Sequence, residues 1–208
     1  MIEKKSAEFI RNMSDTDLVQ ASLKDKEYFY YLMIKYESKL LLYINRITNV
    51  NKDEAEDILQ EIFIKVYRNL HSFRQDLSFS TWLYRIARNE IINQYHKKNS
   101  RPFISDSSGI HDDIKILNEI ISPTPDSHSE YIEHECSKKI KNALYNLPDK
   151  YREVLVLHYL ENLTYDEISD ILLKPAGTIA SLINRGKSKF RKIAERQDIN
   201  LVNYYDKS

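Results

Sequence analysis

Apolar positions along the chain recur at three- and four-residue spacing, and sustained two-residue alternation is rare. From Ser14, "SDTDLVQASLKDKEYFYYLMIKYESKLLLYINRI" reads as a capped start followed by two helices with apolar stripes. "NKDEAEDILQEIFIKVYRNLHSF" predicts another, with Ala55, Ile58, Leu59, Ile62, Phe63 and Val66 facing inward. "FSTWLYRIARNEIINQYHKK", from Phe79 to Lys98, lacks Gly and Pro and predicts a fourth, with Phe79, Leu83, Ile86 and Ala87 inward. Further on, "KIKNALYNLPDKYREVLVLHYLENLTYDEISDILLKPAGTIASLINRGKSKFRKI" divides into four helices. Pro102 closes the first helical region, Pro123 and Pro125 mark a linker, Pro148 suits a first helical turn, and Pro175 sits in a short turn. The expectation is an all-α chain of two small helical domains, residues 1–100 and 131–208, joined by a linker over 101–130. No internal repeat is evident.

Composition supports this. Three Gly and five Pro in 208 residues starve a β-fold of turns, and 42% hydrophobic residues suffice for packed cores. The formal net charge of zero argues against a generic polyanion binder, but it arises from cancellation between segments. Residues 84–101 hold Arg85, Arg88, Lys97, Lys98 and Arg101 against Glu90 alone. Residues 174–196 hold seven Lys and Arg against Glu195, and the intervening 102–137 hold eight Asp and Glu against Lys115.

The single cysteine, Cys136, excludes an internal disulfide and fits a reducing compartment. Its neighbours His128 and His134 do not specify a complete metal site. The N-terminus lacks a signal-peptide core and no apolar run reaches membrane-spanning length, so the chain is expected to be soluble and cytoplasmic. No Ser/His/Asp, paired-carboxylate or phosphate-loop arrangement points to an enzyme, a cofactor or a metal.

Three constellations carry chemistry. In "LTYDEISDILLKPAGTIASLINRGKSKF", Thr164 and Glu167 have capping-box spacing, and Tyr165, Ile168, Ile171 and Leu172 share one side. After Lys174–Pro175–Ala176, Gly177 and Thr178 open a second helix. Ile179, Ile183, Gly186, Phe190 and Ile193 form its inward stripe, bordered by Leu182. Ser181, Asn184, Arg185, Ser188, Arg191 and Lys192 lie opposite, a division that a helix-turn-helix needs if one face packs and the other enters the major groove. Arg and Asn can read base edges, whereas Lys192 suits phosphate. The alternative is a helical hairpin with a solvated basic face.

In the Phe79–Lys98 stretch, Tyr84, Arg88 and Tyr95 lie on the far face, flanked by Arg85 and His96, with Trp82 and Asn89 on the shoulder. Rings and guanidinium groups together could hold unpaired bases. Trp82 taken alone reads as core; the face as a whole reads as nucleic-acid binding. In the third constellation, Asp57, Gln60, Glu61 and Ile64 share a face opposite the apolar stripe, and an outward Ile64 beside carboxylates suggests protein docking. Asp53 and Glu54 near that helix start also favour its dipole, so part of the acidity serves stability.

Two such modules around an acidic tether resemble the bacterial RNA polymerase sigma factors, in particular the small extracytoplasmic-function (ECF) class of the sigma-70 family. "DEAEDILQEIFIKVYRNLHSF" is similar to that family's region 2.2, "FSTWLYRIARNEI" to regions 2.3 and 2.4, and "LPDKYREVLVLHYLENLTYDEISDILLKPAGTIASLINRGKSKFRKI" to region 4. The resemblance implies a transcription initiation factor that binds core RNA polymerase, through the β′ clamp helices and the β subunit, and directs it to promoters. Asp57, Gln60, Glu61 and Ile64 would dock on the polymerase. Trp82, Tyr84, Arg85, Arg88 and Asn89 would recognise and open the −10 element. Thr178, Ser181, Asn184, Arg185, Ser188 and Lys192 would contact the −35 element. It also implies an acidic linker threading the polymerase channels, a monomer when free, and control by an anti-sigma factor.

The chain departs from the family pattern at Ala180 and Leu182, which replace basic residues, and at Asn184, Gly186, Asn93 and His96. Gly186 should weaken its helix by up to about 1 kcal/mol. A free-standing helix-turn-helix regulator is a competing reading, although no heptad supplies the dimer it would need. A protein-interaction module with a degenerate DNA-binding domain is another.

Overall fold

The computed structural model describes residues 13–74, 77–99 and 139–197, without the side chains of 95–99. The acidic stretch, Cys136, His128, His134, Arg101 and the side chains of Tyr95, His96, Lys97 and Lys98 lie outside this description. Among the described residues every regular element is helical. These residues form two compact units. One comprises the described residues up to Leu41 with those from Glu56 to Asn99; the other combines Leu42–Ala55 with the C-terminal helices.

In the first unit, Ser14 caps α1 (Asp15–Lys24), its hydroxyl accepting from the Asp17 N–H at 3.1 Å. In α2 (Glu27–Ile47), Phe29, Leu32, Tyr36 and Leu40 are buried at helical spacing. Asp15 ties the two helices, accepting from the Tyr36 hydroxyl at 2.5 Å and pairing with Lys35 at 2.7 Å. Asn51 caps α3 (Lys52–Asn69) through the Glu54 N–H at 2.9 Å. All six residues expected to face inward from α3 are buried. A short 3₁₀ turn, Leu70–Ser72, leads on toward α4 (Phe79–Asn99), whose first turn is bonded by the Ser78 hydroxyl.

The second unit contains helical residues 139–145, then α5 (Asp149–Leu155) starting after Pro148 and continuing as a π-helical turn, Val156–Leu160. Thr164 and Glu167 form the expected capping box at the start of α6 (Tyr165–Leu172). Leu173 ends that helix in the left-handed region, with φ 53°. After Pro175, α7 (Ala176–Arg196) packs on α5 and α6 through Ile179, Ile183 and Gly186. Phe190 and Ile193 join Ala143 and Ala194 in a smaller cluster.

Within the second unit, which includes the end of α2 from Leu42, the carbonyls around that helix end, which helix geometry leaves without intrahelical donors, find side-chain partners. The Tyr145 hydroxyl shares its proton between the carbonyls of Asn45 and Thr48. The Arg152 guanidinium reaches the Ile47 carbonyl at 3.1 Å, placing a cation at the negative end of the helix dipole. An Arg46–Glu161 ion pair at 2.8 Å adds to this packing inside the second unit.

Candidate nucleic-acid and protein interfaces

On α3, Asp57, Gln60 and Glu61 are exposed, as is Ile64 at 42% of its surface. The stripe opposite them is fully packed, so all four project from one outward face, as their spacing predicted. Tyr67, not expected from the sequence, extends this face by another turn; it is 48% exposed, with its ring edge-on to Phe29 at 5.0 Å. Its position three residues after Ile64 was the available signal.

On α4 the expectation divides. Arg85 and Arg88 are half-buried, Asn89 is exposed, and the three share one arc. Trp82 is buried, against Phe73 and Phe79 at 5.5 and 5.7 Å, in agreement with its reading as core rather than with its place among the −10 residues. Tyr84 requires a correction. It is 3% exposed and presents no stacking face. At about 100° per residue Tyr84 falls beside Ala87 and Ile91, and the buried arc of α4 is wide enough to take in all three. Ile86, expected inward, is only half-buried.

In the sequence Glu90 stands out only as the lone acid of residues 84–101. It is 3% exposed, pairs with Lys65 of α3, and accepts from Gln94 Nε2 at 2.8 Å. Its angular position beside Phe79 and Leu83 was the signal: a carboxylate on an inward stripe requires a cation or donors.

On α7, Thr178, Asn184, Arg185, Ser188 and Lys192 are exposed and Ser181 is half-buried, all on the side away from the packed stripe. Lys187 and Lys189 lie over the rings of Tyr159 and Tyr151, at 5.6 and 5.8 Å, and so flank this face. Ala180 and Leu182 are half-buried shoulder positions, where apolar side chains contribute packing. Tyr165 differs from expectation. It is 37% exposed, resting on His158 at 4.9 Å, outside the packed stripe of α6. The outward α7 face thus offers an amide, a guanidinium, hydroxyls and an ammonium on one rigid helix, a set able to contact bases and phosphates.

Residues 32–101 match the family model for Sigma-70 region 2, and residues 137–190 match that for Sigma-70, region 4. The ECF RNA polymerase sigma factor SigW of Bacillus subtilis is 35% identical over 173 residues, covering 83% of this chain and 92% of the relative. The chain belongs to the ECF sigma factors of the sigma-70 family. The ECF RNA polymerase sigma-E factor of Escherichia coli K12 is 33% identical over 84% of this chain and 91% of its own length. Two solved structures share the fold of this sigma factor. CnrH, solved in complex with the cytosolic domain of CnrY, has a TM-score of 0.64 at 18% identity, covering 88% of this chain and 97% of that one. RpoE of Bartonella quintana, solved with the anti-sigma factor NepR, has a TM-score of 0.61 at 22% identity, covering 80% and 96%. The region 2 match contains the faces of α3 and α4, and the region 4 match contains the α7 face from Thr178 to Ser188, with Lys192 two residues beyond it. No described helix is long and apolar enough to cross a membrane, and no described group of His, Cys, Asp or Glu could hold a metal ion.

Proposed function

We propose that this sigma factor directs core RNA polymerase to promoters by dividing the work among three outward faces. Asp57, Gln60, Glu61 and Ile64 dock on the polymerase. Arg85, Arg88 and Asn89 hold the opened −10 element, with Trp82 and Tyr84 supporting that face from beneath. Thr178, Ser181, Asn184, Arg185, Ser188 and Lys192 contact the −35 element. The observation that carries the reading is the coexistence, in one chain, of matches to regions 2 and 4, each bearing outward polar and basic groups on a packed helix.

The physical logic requires cooperation. Extruding a base from a duplex costs a few kcal/mol, more than one small basic face supplies. Held to a common enzyme, two weak DNA contacts raise each other's effective concentration. In this reading residues 1–100 and 131–208 are the DNA-contacting parts, the acidic stretch 101–130 tethers them, and the chain performs no covalent chemistry. It acts in the cytoplasm, and an anti-sigma factor restrains it.

Transcription with purified core polymerase tests the proposal. The factor is expected to support initiation from selected promoters. Asp57→Lys should lose core binding, and Arg185→Ala should lose use of −35-dependent promoters. DNA protection without polymerase, and no stimulation of core enzyme, would instead establish a free-standing regulator.

A further inference from the structure

The described part of α4 buries one carboxylate, Glu90, in a unit whose other buried polar residues among those described are the hydroxyl side chains Ser22 and Thr81. Glu90 uses one oxygen for Lys65 Nζ and the other for Gln94 Nε2. Lys65 belongs to α3, immediately after Ile64 and one turn beyond Glu61. Glu90 immediately follows Arg88 and Asn89 on α4. The ion pair therefore joins the proposed docking helix to the proposed strand-opening helix just past Ile64 and Asn89, the last assigned residue of each outward face.

An apolar pair would hold the two helices about as well, because desolvating the buried Glu90 carboxylate offsets much of its attraction to Lys65, whose side chain stays 39% exposed. An ion pair contributes geometry. Leucine-like contacts tolerate small slides and rotations, whereas a buried carboxylate bonded on both oxygens accepts one register. The aromatic packing of Phe73, Phe79 and Trp82 secures the start of α4, and the Lys65–Glu90–Gln94 tie secures the following turns. We propose that Glu90, through Lys65, is a positioning residue for promoter opening: it sets the rotation of α4 on α3 and thereby aims Arg88 and Asn89 when α3 docks.

This inference rests on the assignment of the α4 face, and the experiment separates the two. Holoenzyme is assembled from purified core polymerase and the full chain carrying Lys65→Met with Glu90→Leu, or Glu90→Gln alone. Each is compared with Asn89→Ala on the strongest promoter recovered with the wild-type factor, in duplex form and with its −10 strands mismatched. The apolar pair removes the charges without leaving one of them buried, so it is expected to melt at or above the wild-type temperature and to bind core within about twofold. It should open duplex promoter about tenfold more slowly, since small errors in aim carry large kinetic costs, and use the mismatched template at the wild-type rate. Glu90→Gln should show the same split to a smaller degree.

Equal losses on both templates would make the pair merely structural and overturn the proposal. Duplex opening within twofold of wild type in the apolar pair, with Asn89→Ala impaired, would overturn the positioning role alone. If Asn89→Ala also opens duplex normally, the face assignment itself falls.

Discussion

Gly186 and Leu155 pack so closely that a Cβ at position 186 would stand 3.2 Å from the Leu155 Cγ and 3.4 Å from both its methyl carbons. The residue that sequence alone marks as a weak point of α7 is thus where α5 and α7 approach. Alanine would gain about 1 kcal/mol of helix propensity but would press on Leu155, so Gly186→Ala should change stability by less than about 0.5 kcal/mol. Gly186→Leu should cost about 1–3 kcal/mol through overpacking. Hydrogen exchange of the α5 and α7 amides in the full chain measures both. Undiminished protection in Gly186→Leu would show that the helices are not held at this spacing.

Arg152 is a second fixed point. Its guanidinium donates to the carbonyls of Leu144 at 3.1 Å, Leu147 at 3.1 Å and Ile47 at 3.1 Å, and lies over the Tyr145 ring. Its ion pair with Asp149 involves a carboxylate that is 87% exposed. Hydrogen bonds from a charged donor are worth about 1.5–3 kcal/mol each at most, and one side chain supplies several here. Arg152→Met should destabilise the second unit by about 2–4 kcal/mol, whereas Asp149→Ala should cost less than about 0.5 kcal/mol. Urea titration followed by exchange at residues 144–147 distinguishes them. Equal effects would assign the stabilisation to the ion pair.

The legible parts of this fold were those governed by a helix's own period and end chemistry. Ala55, Ile58, Leu59, Ile62, Phe63 and Val66 are buried as their spacing predicts, and Thr164 and Glu167 cap as their three-residue separation predicts. The outward residues of α3 and α7 follow from the same periodicity. Tyr84 did not, because the width of a helix's buried arc depends on its neighbours, and α4 buries flanks as well as a stripe. The association of Leu42–Ala55 with the C-terminal unit depends on Tyr145 and Arg152, about a hundred positions away. Leu173, 79% exposed at φ 53°, occupies a conformation that composition assigns to glycine or asparagine.

The contrast between Tyr84 and Asn89 gives a further prediction. Tyr84 is buried, so Tyr84→Ala should cost about 3–5 kcal/mol, as other large-to-small aromatic truncations do, and any loss of promoter opening should follow loss of fold. Asn89→Ala, on the exposed arc, should leave the melting temperature within about 2 °C while lowering permanganate reactivity of thymines near the start site. Thermal denaturation alongside footprinting separates the two. A Tyr84→Ala protein with wild-type stability and impaired opening would restore Tyr84 to the DNA-contacting face.

Tyr36 makes stability depend on alkaline pH. Burial, then the hydrogen bond to Asp15, then the Asp15 charge push the Tyr36 hydroxyl well above the ordinary tyrosine value of 10.0. The folded chain therefore keeps this proton at a pH where the unfolded chain releases it. Its contribution is fully present below pH 10.0 and declines as pH rises from there toward the raised value. Over that window Tyr36 should make the unfolding free energy fall by up to about 1.4 kcal/mol per pH unit. Tyr36→Phe should cost about 1 kcal/mol at neutral pH through the lost hydrogen bond to Asp15, yet decline less steeply above pH 10.0, so that the two proteins converge. Urea midpoints of both across this range check the sign. Parallel curves would show that Tyr36 ionises as readily in the folded chain as in the unfolded one, and that the Asp15 contact does not hold its proton.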